Sequence, residues 1–482
     1  MISSRKPLGI EALSILLSSA LYLTLMSMIY IAGVNIILAL AAFLILLFFP
    51  FLQVKSVKNN FLFGLMLVAI TMSTVFSSVW IEFGIRNSTF FLLIFEVKTL
   101  FILLIFVFGI NDKKLRKIWI NDFYPFILLA ILSIVRINSL NTTTFAYLRN
   151  FITPSLILFV SLFFAKNIDY LQFNSFMKNL TIIIFISAVI ELIVGIDSWY
   201  SFFNLDAITS VKGPTSLVTG ISGFTVSRLL GLVGNAIALG YILSGLCFWH
   251  FVNKNRTYFL LSLCPLILTF AKAGFLTLGI ALMWHGLFNK RKYKRKYKRN
   301  PGLVLTLFFF LPFPLFTILA LISTPTSVKL LISNPLKYFQ GDSTAFTHGV
   351  GLLFGMKNLF KYPFGIGTGS GGNFANIFEN TDRVSWIQSG SESSLGVISS
   401  QLGIIGFVLF FMGMYVLNKK ILHLELFNDE PVIKYFGLLL GWFLASFFSE
   451  NALGPSSSFL PIMISVFLIY GKFLNVNMKR LE

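Results

Sequence analysis

Apolar residues in this chain gather into long blocks separated by short polar segments. Blocks of roughly 17–25 residues match a hydrocarbon core about 30 Å thick, crossed by a helix that rises about 1.5 Å per residue. The blocks fall at 11–31, 34–53, 61–82, 89–110, 118–136, 151–166, 180–197, 229–251, 257–271, 273–289, 302–323, 395–417, 434–450 and 458–473. The pattern predicts an all-α polytopic membrane protein with roughly fourteen transmembrane helices. Two intervening segments are long, 197–227 and 324–394. In the second, Val350, Leu353, Phe354, Met356, Leu359 and Phe360 recur at helical spacing, which predicts a helix over 345–362 and a large helical loop. Loops of this length are functional or disordered, and the aromatic, apolar content of this one favours an ordered, functional piece. The expected organisation is spans one to eleven over 1–323, the loop over 324–394 and the last three spans over 395–482. No internal repeat shows in the hydropathy, which weakens the inverted-repeat transporter folds.

Composition agrees with the pattern. Hydrophobic residues fill 56% of the 482 positions and charged residues 12%, against about 25% charged in a soluble domain. Half of the usual solvated surface is missing. The net charge of +20 would suit nucleic acid, but its distribution excludes that reading. Lys and Arg concentrate between alternate spans: Arg5 and Lys6, Lys55 and Lys58, Lys113 to Lys117, Lys166 and Lys178, Lys254 and Arg256, the run 290–299, Lys419, Lys420 and Lys434, then Lys472, Lys479 and Arg480. By the positive-inside rule these segments, and with them both termini, are cytoplasmic. The K-R-K-Y-K-R-K-Y-K-R run at 290–299 then marks the cytoplasmic side and touches anionic headgroups. No small-residue cleavage site follows Arg5 and Lys6, so the first block reads as a retained span. Cys247 and Cys264 both lie in apolar blocks and predict no external disulfide.

Positive charge on the outer side runs against the rule and asks for a reason. The outward set is Arg86, Arg136, Arg149, Lys212, Arg228, Lys272, Lys329, Lys337, Lys357, Lys361 and Arg383. Arg228 opens S-R-L-L-G-L-V-G-N where a span begins, and Lys272 sits in the tight turn T-F-A-K-A-G. Together with Arg383 of the loop, they suit a lipid-linked phosphate or pyrophosphate through charge-assisted hydrogen bonds. Snorkelling to the headgroup layer accounts for Arg228 and Lys272 equally well. The stretch G-I-G-T-G-S-G-G holds Gly365, Gly367 and Gly369; lacking a G-K-[ST] ending, it reads as a tight turn that brings backbone close to a substrate.

Glu392, in S-G-S-E-S-S-L just before a span, and His348, the one outward histidine, are candidate acid–base groups for a sugar hydroxyl. A solvated loop carboxylate is the plain alternative for Glu392. Glu96, Lys98 and Glu191 lie within spans, where ionisable groups are functional candidates; each is expected to find a partner on a neighbouring helix. No His, Cys or Asp cluster has metal-ligand spacing.

The order of these parts resembles the O-antigen polymerase and O-antigen ligase superfamily of bacterial inner-membrane glycosyltransferases. Arg228-Leu-Leu-Gly231 with Gly234-Asn235 is similar to its R-x-x-G-x-x-x-N segment, and Leu268 to Gly274 to its T-x-S-R-x-G turn, with Lys272 for the usual Arg. Pro363 to Gly369 resembles its P-x-x-G-x-G segment, and Glu392-Ser-Ser-Leu with Gly403-Ile-Ile-Gly406 resembles the close of its loop. The resemblance covers about 228–406. It implies a metal-independent transferase in the bacterial inner membrane that needs no cofactor. Its substrates would be polyprenyl-pyrophosphate-linked oligosaccharides, and its neighbours membrane lipids, a flippase and a chain-length regulator. Arg228 and Lys272 would hold the donor pyrophosphate. Ligases of this superfamily carry His where this chain has Glu392, which favours the polymerase branch, with a ligase acting on lipid A core as the alternative. A polysaccharide flippase without catalysis is the rival from another class; it would lack the 324–394 loop and line a central cavity with its charges.

Overall fold

The computed structural model describes residues 97–167, 170–195, 198, 218–221, 224–233, 235–288, 344–374, 390, 392–428 and 432–479. The expected spans at 11–31, 34–53, 61–82 and 302–323, the start of the span at 89–110 and about half of the 324–394 loop lie outside these residues. Eleven α-helices run through the described residues in the order α1 Val97–Gly109, α2 Lys113–Val135, α3 Thr142–Asn167, α4 Tyr170–Val194, α5 Ala236–Val252, α6 Arg256–Thr269, α7 Lys272–Phe288, α8 Thr344–Lys361, α9 Ser394–Asn428, α10 Phe436–Ala445 and α11 Pro455–Lys479. A two-stranded antiparallel hairpin, β1 Val218–Ile221 and β2 Phe224–Ser227, precedes α5.

Four stretches, Lys113–Val135, Thr142–Asn167, Phe176–Val194 and Ser394–Leu424, are long and apolar enough to cross a membrane by length and composition. Shorter apolar helices lie at Ala236–Val252, Arg256–Thr269, Lys272–Phe288, Val432–Phe448 and Pro455–Gly471. This is the helix inventory of a membrane protein. α3 is buried nearly all round between α2 and α11, whereas α2 turns Leu128, Ile131, Ile134 and Val135 outward. Such an apolar outer face is stable in lipid, where helices associate through close packing instead of apolar burial from water. Small residues provide that closeness. A Cβ on Gly274 of α7 would lie 2.6 Å from the Gly240 carbonyl of α5, and Gly441 of α10 packs on the backbone of Thr277. Phe106, Trp119 and Phe159 meet edge to face at 4.9–5.4 Å between α1, α2 and α3.

Polar anchors mark one end of the bundle. Asp112 accepts from the Lys114 and Leu115 amides to cap α2 and pairs with Lys166 at the end of α3. The Tyr170 hydroxyl donates to Asn253, and Lys178 stands 5.4 Å from the Tyr258 ring. Deeper in, Lys420 lies 3.3 Å from Asp122, which also accepts from the Tyr470 hydroxyl at 3.0 Å. α2 starts near this end while α3 finishes there, so the chain alternates in direction as the blocks predict.

Two spans differ from their simple reading. The block expected at 229–251 holds only a short 3-10 turn at Gly231–Val233 before its α-helix starts at Ala236, where Asn235 caps α5 by accepting from Ile237 and Ala238. The block at 395–417 is broken: Gly403 sits at φ 67°, ψ −158° inside α9. The expected helix over 345–362 is present as α8, which packs its Gly355 against Gly396 in the first part of α9.

Candidate functional site

The end of the bundle opposite Asp112 gathers most of the candidate chemistry. Breaking α9 at Gly403 leaves carbonyls of its first part without helical partners, a liability in any buried helix end. The glycine loop supplies them. Ile366 donates its amide to Ser400 (2.9 Å) and Gly367 to Gln401 (3.0 Å), while Ile404 donates to the Pro363 carbonyl (2.9 Å). The same loop caps α2: Thr368 donates to the Arg136 carbonyl (2.8 Å), Arg136 Nη2 to the Gly365 carbonyl (2.7 Å) and Asn138 Nδ2 to the Ile366 carbonyl (2.7 Å). Gly369 donates to the Gln401 side chain at 2.9 Å. Irregular backbone packed inside a helical bundle is tolerated where other protein groups satisfy it in this way.

Gly365, Gly367 and Gly369 have φ of 80°, 102° and 88°. Their expected close approach is to protein: Gln401 backbone, the Asn138 side chain and Thr144, respectively. The amides of 366, 367, 368 and 369 are all engaged by protein acceptors. Gly365→Ala should therefore lower stability by about 1–3 kcal/mol, from the positive φ and the collision with Gln401. Thermal unfolding in detergent checks this; an unchanged midpoint would mean the loop is not seated in the α9 break.

Next to this loop lies a buried carboxylate. Glu450 opens the one-turn helix Glu450–Leu453 between α10 and α11 and is 3% exposed. Its carboxylate accepts from the Tyr147 hydroxyl, from the Asn373 amide (3.0 and 3.1 Å) and from the Glu392 amide (3.2 Å). Tyr147 in turn accepts from the Phe374 amide at 3.3 Å and packs edge-on against the Phe374 ring, with the Arg149 guanidinium 5.6 Å from that ring. Gly372 is required here, since a Cβ would strike the Tyr147 hydroxyl.

Glu392 is partly exposed and adopts φ 64°, the left-handed region. A non-glycine residue there costs of order 1–3 kcal/mol and persists only when its surroundings enforce it. The hydrogen bond that the Glu392 backbone N–H donates to Glu450 is one such constraint; another follows at once, the Ser394 hydroxyl donating to the Ser449 carbonyl at 2.7 Å.

A second cluster flanks the turn between α6 and α7. Glu191 of α4, 2% exposed, accepts from the Leu230 (3.0 Å) and Gly231 (2.6 Å) amides and so fixes the segment that carries Arg228. Leu229 donates to the Leu268 carbonyl (3.0 Å), and Arg228 Nε donates to the Thr269 carbonyl (3.1 Å). The α6–α7 turn runs through Phe270 at φ 48°, and exposed Lys272 is the first residue of α7. Arg228 and Lys272 thus border one turn. α5 stands between this cluster and the first, packing on the Glu450–Leu453 turn.

Of the residues singled out from sequence, the fold brings Arg228 to the turn that leads into Lys272, and Gly365, Gly367 and Gly369 to the neighbourhood of Glu392. His348 lies on α8 one turn before Gly351, whose carbonyl contacts the Gly396 position. Arg383, Glu96 and the side chain of Lys98 lie outside the described residues. Glu191 finds its partners in backbone amides, not in a charge on a neighbouring helix. Sequence reasoning passed over Glu450 and Tyr147. The rule that singled out Glu392, a carboxylate at the end of an apolar block, applies equally to Glu450 in F-F-S-E-N-A-L-G-P. Among the described residues no group of three or more His, Cys, Asp or Glu could hold a metal ion.

Fold and site together define a helical membrane protein with a carboxylate cluster and a cation pair at one end. No family model and no curated protein matches the chain.

Proposed function

We propose that the chain is a polysaccharide polymerase of the bacterial inner membrane, joining polyprenyl-pyrophosphate-linked oligosaccharide repeat units on the outer face. In this reading roughly fourteen spans place both termini in the cytoplasm and the 324–394 loop outside. The observation that carries the reading is the strained backbone of Glu392, held by a buried carboxylate at the end of the bundle that also bears Arg228 and Lys272. Strain of this kind collects at functional sites.

The chemistry follows from the group types. A hydroxyl of the acceptor repeat attacks the anomeric carbon of the donor, forming the new C–O bond as the bond to the pyrophosphate oxygen breaks. Glu392 takes the hydroxyl proton. Arg228, and Lys272 at the positive end of α7, stabilise the charge that builds on the departing pyrophosphate. His348 is the second choice as base, Arg383 a further cation of the loop, and Gly365, Gly367 and Gly369 shape the wall beside the substrate. A ligase acting on lipid A core would share this machinery; Glu392 in place of His favours the polymerase.

Purified protein in bilayers, given lipid-linked repeat units without nucleotide or added metal, should yield a ladder of chain lengths on a gel. Translocation of the same units without any ladder would replace the polymerase with a flippase, and transfer only to lipid A core would replace it with a ligase.

A further inference from the structure

α8 belongs to the 324–394 segment, yet its surface is not that of a helix standing in water. One face carries Gly351, Leu352, Gly355 and Leu359, all buried, and it packs through Gly355 on Gly396 of α9. The other face presents Lys357, Phe360 and Lys361, followed after the helix by Phe364. Phe360 is 85% exposed and Phe364 69%. Lys361 stands 5.0 Å from the Tyr362 ring and Lys357 5.9 Å from the Phe354 ring.

What covers these rings is indicated by their neighbours. Pro363 is hydrogen-bonded to Ile404 and Gly365 to Arg136 at the end of α2. α9 continues from that junction with Ile404, Ile405 and Val408 exposed, and α2 arrives at it with Ile131, Ile134 and Val135 exposed. Phe364 and Phe360 therefore prolong the outward apolar band of two span-length helices. Aromatic rings at the edge of such a band, with lysines whose stems lie along it, are the pattern of a membrane–water interface.

We propose that α8 is an interfacial helix: Phe360 and Phe364 enter the acyl boundary of the adjacent leaflet, and Lys357 and Lys361 meet lipid headgroup phosphates. This supplies the reason that two lysines on the disfavoured side of the membrane lacked. It also sets Glu392 at headgroup level, where a carrier pyrophosphate would lie. The placement stands on the surface alone and does not depend on the polymerase reading.

The test is spin-label depth in reconstituted phospholipid bilayers. With Cys247 and Cys264 replaced by alanine, single cysteines are introduced at Phe360 or Phe364, with Val408 as the lipid reference and Ser370 as the water reference. The four positions are exposed, so the labels do not disturb packing. At 360 and 364, the ratio of collisions with oxygen to collisions with a water-soluble nickel chelate should be several-fold above that at 370 and approach that at 408. A ratio equal to that at 370 overturns the proposal. Exclusion of both reagents overturns it too, because a protein partner or a second copy would then cover the face.

Discussion

Replacing Glu450 with alanine should release the backbone around residues 373 and 392 from the helical bundle. The substitution strands the Tyr147 hydroxyl and the amides of Asn373 and Glu392 away from an acceptor. The buried Tyr147 hydroxyl alone costs about 1–3 kcal/mol when left unsatisfied, and the two part-buried amides add less. Because the loss falls on irregular segments rather than on a span, it should appear as local opening. The measurable results are faster amide hydrogen exchange at Asn373 and Glu392, new protease cleavage beside them, and a lower thermal midpoint. Unchanged cleavage would remove Glu450 from the role of anchor.

The second large effect concerns Arg228. If it stabilises charge on the leaving pyrophosphate, Arg228→Ala should slow elongation about 10²- to 10³-fold, the usual loss when one such donor is removed. Glu191→Ala should mimic this by a different route, since it frees the Leu230 and Gly231 amides that hold the Arg228 segment. The two differ in stability: Arg228→Ala leaves a partly exposed site, whereas Glu191→Ala empties a buried acceptor.

Much of the helical framework was legible in the hydropathy, because a span-length apolar block admits few other structures. The ends of α6 and α7 lie within two residues of the edges of their blocks, whereas α3 starts at Thr142, well ahead of the block expected from 151. Asn235 shows where hydropathy fails. The apolar run at 229–234 looks like the start of a span, but the cap at Asn235 and the grip of Glu191 make it a separate segment. Gly403 shows the same thing more strongly. Nothing within 395–417 says that the helix breaks, since the break is stable only when Pro363 to Gly367 satisfy it from another part of the chain. Arg228 and Lys272 were legible because charge at the edge of an apolar block is conspicuous. Tyr147 was not, because a tyrosine near a span end is ordinary until a carboxylate some 300 residues away is folded against it.

The central claim is that the Glu392 cluster and the Arg228 turn serve one reaction. Elongation rates of Arg228→Ala, Glu392→Gln and the double variant, measured with the same lipid-linked repeat units, test it most directly. Groups acting in one transition state lose their effects non-additively. The expected result is that each single variant nearly abolishes the ladder and the double variant is no slower than the worse of the two. Wild-type ladders from either single variant would contradict the claim.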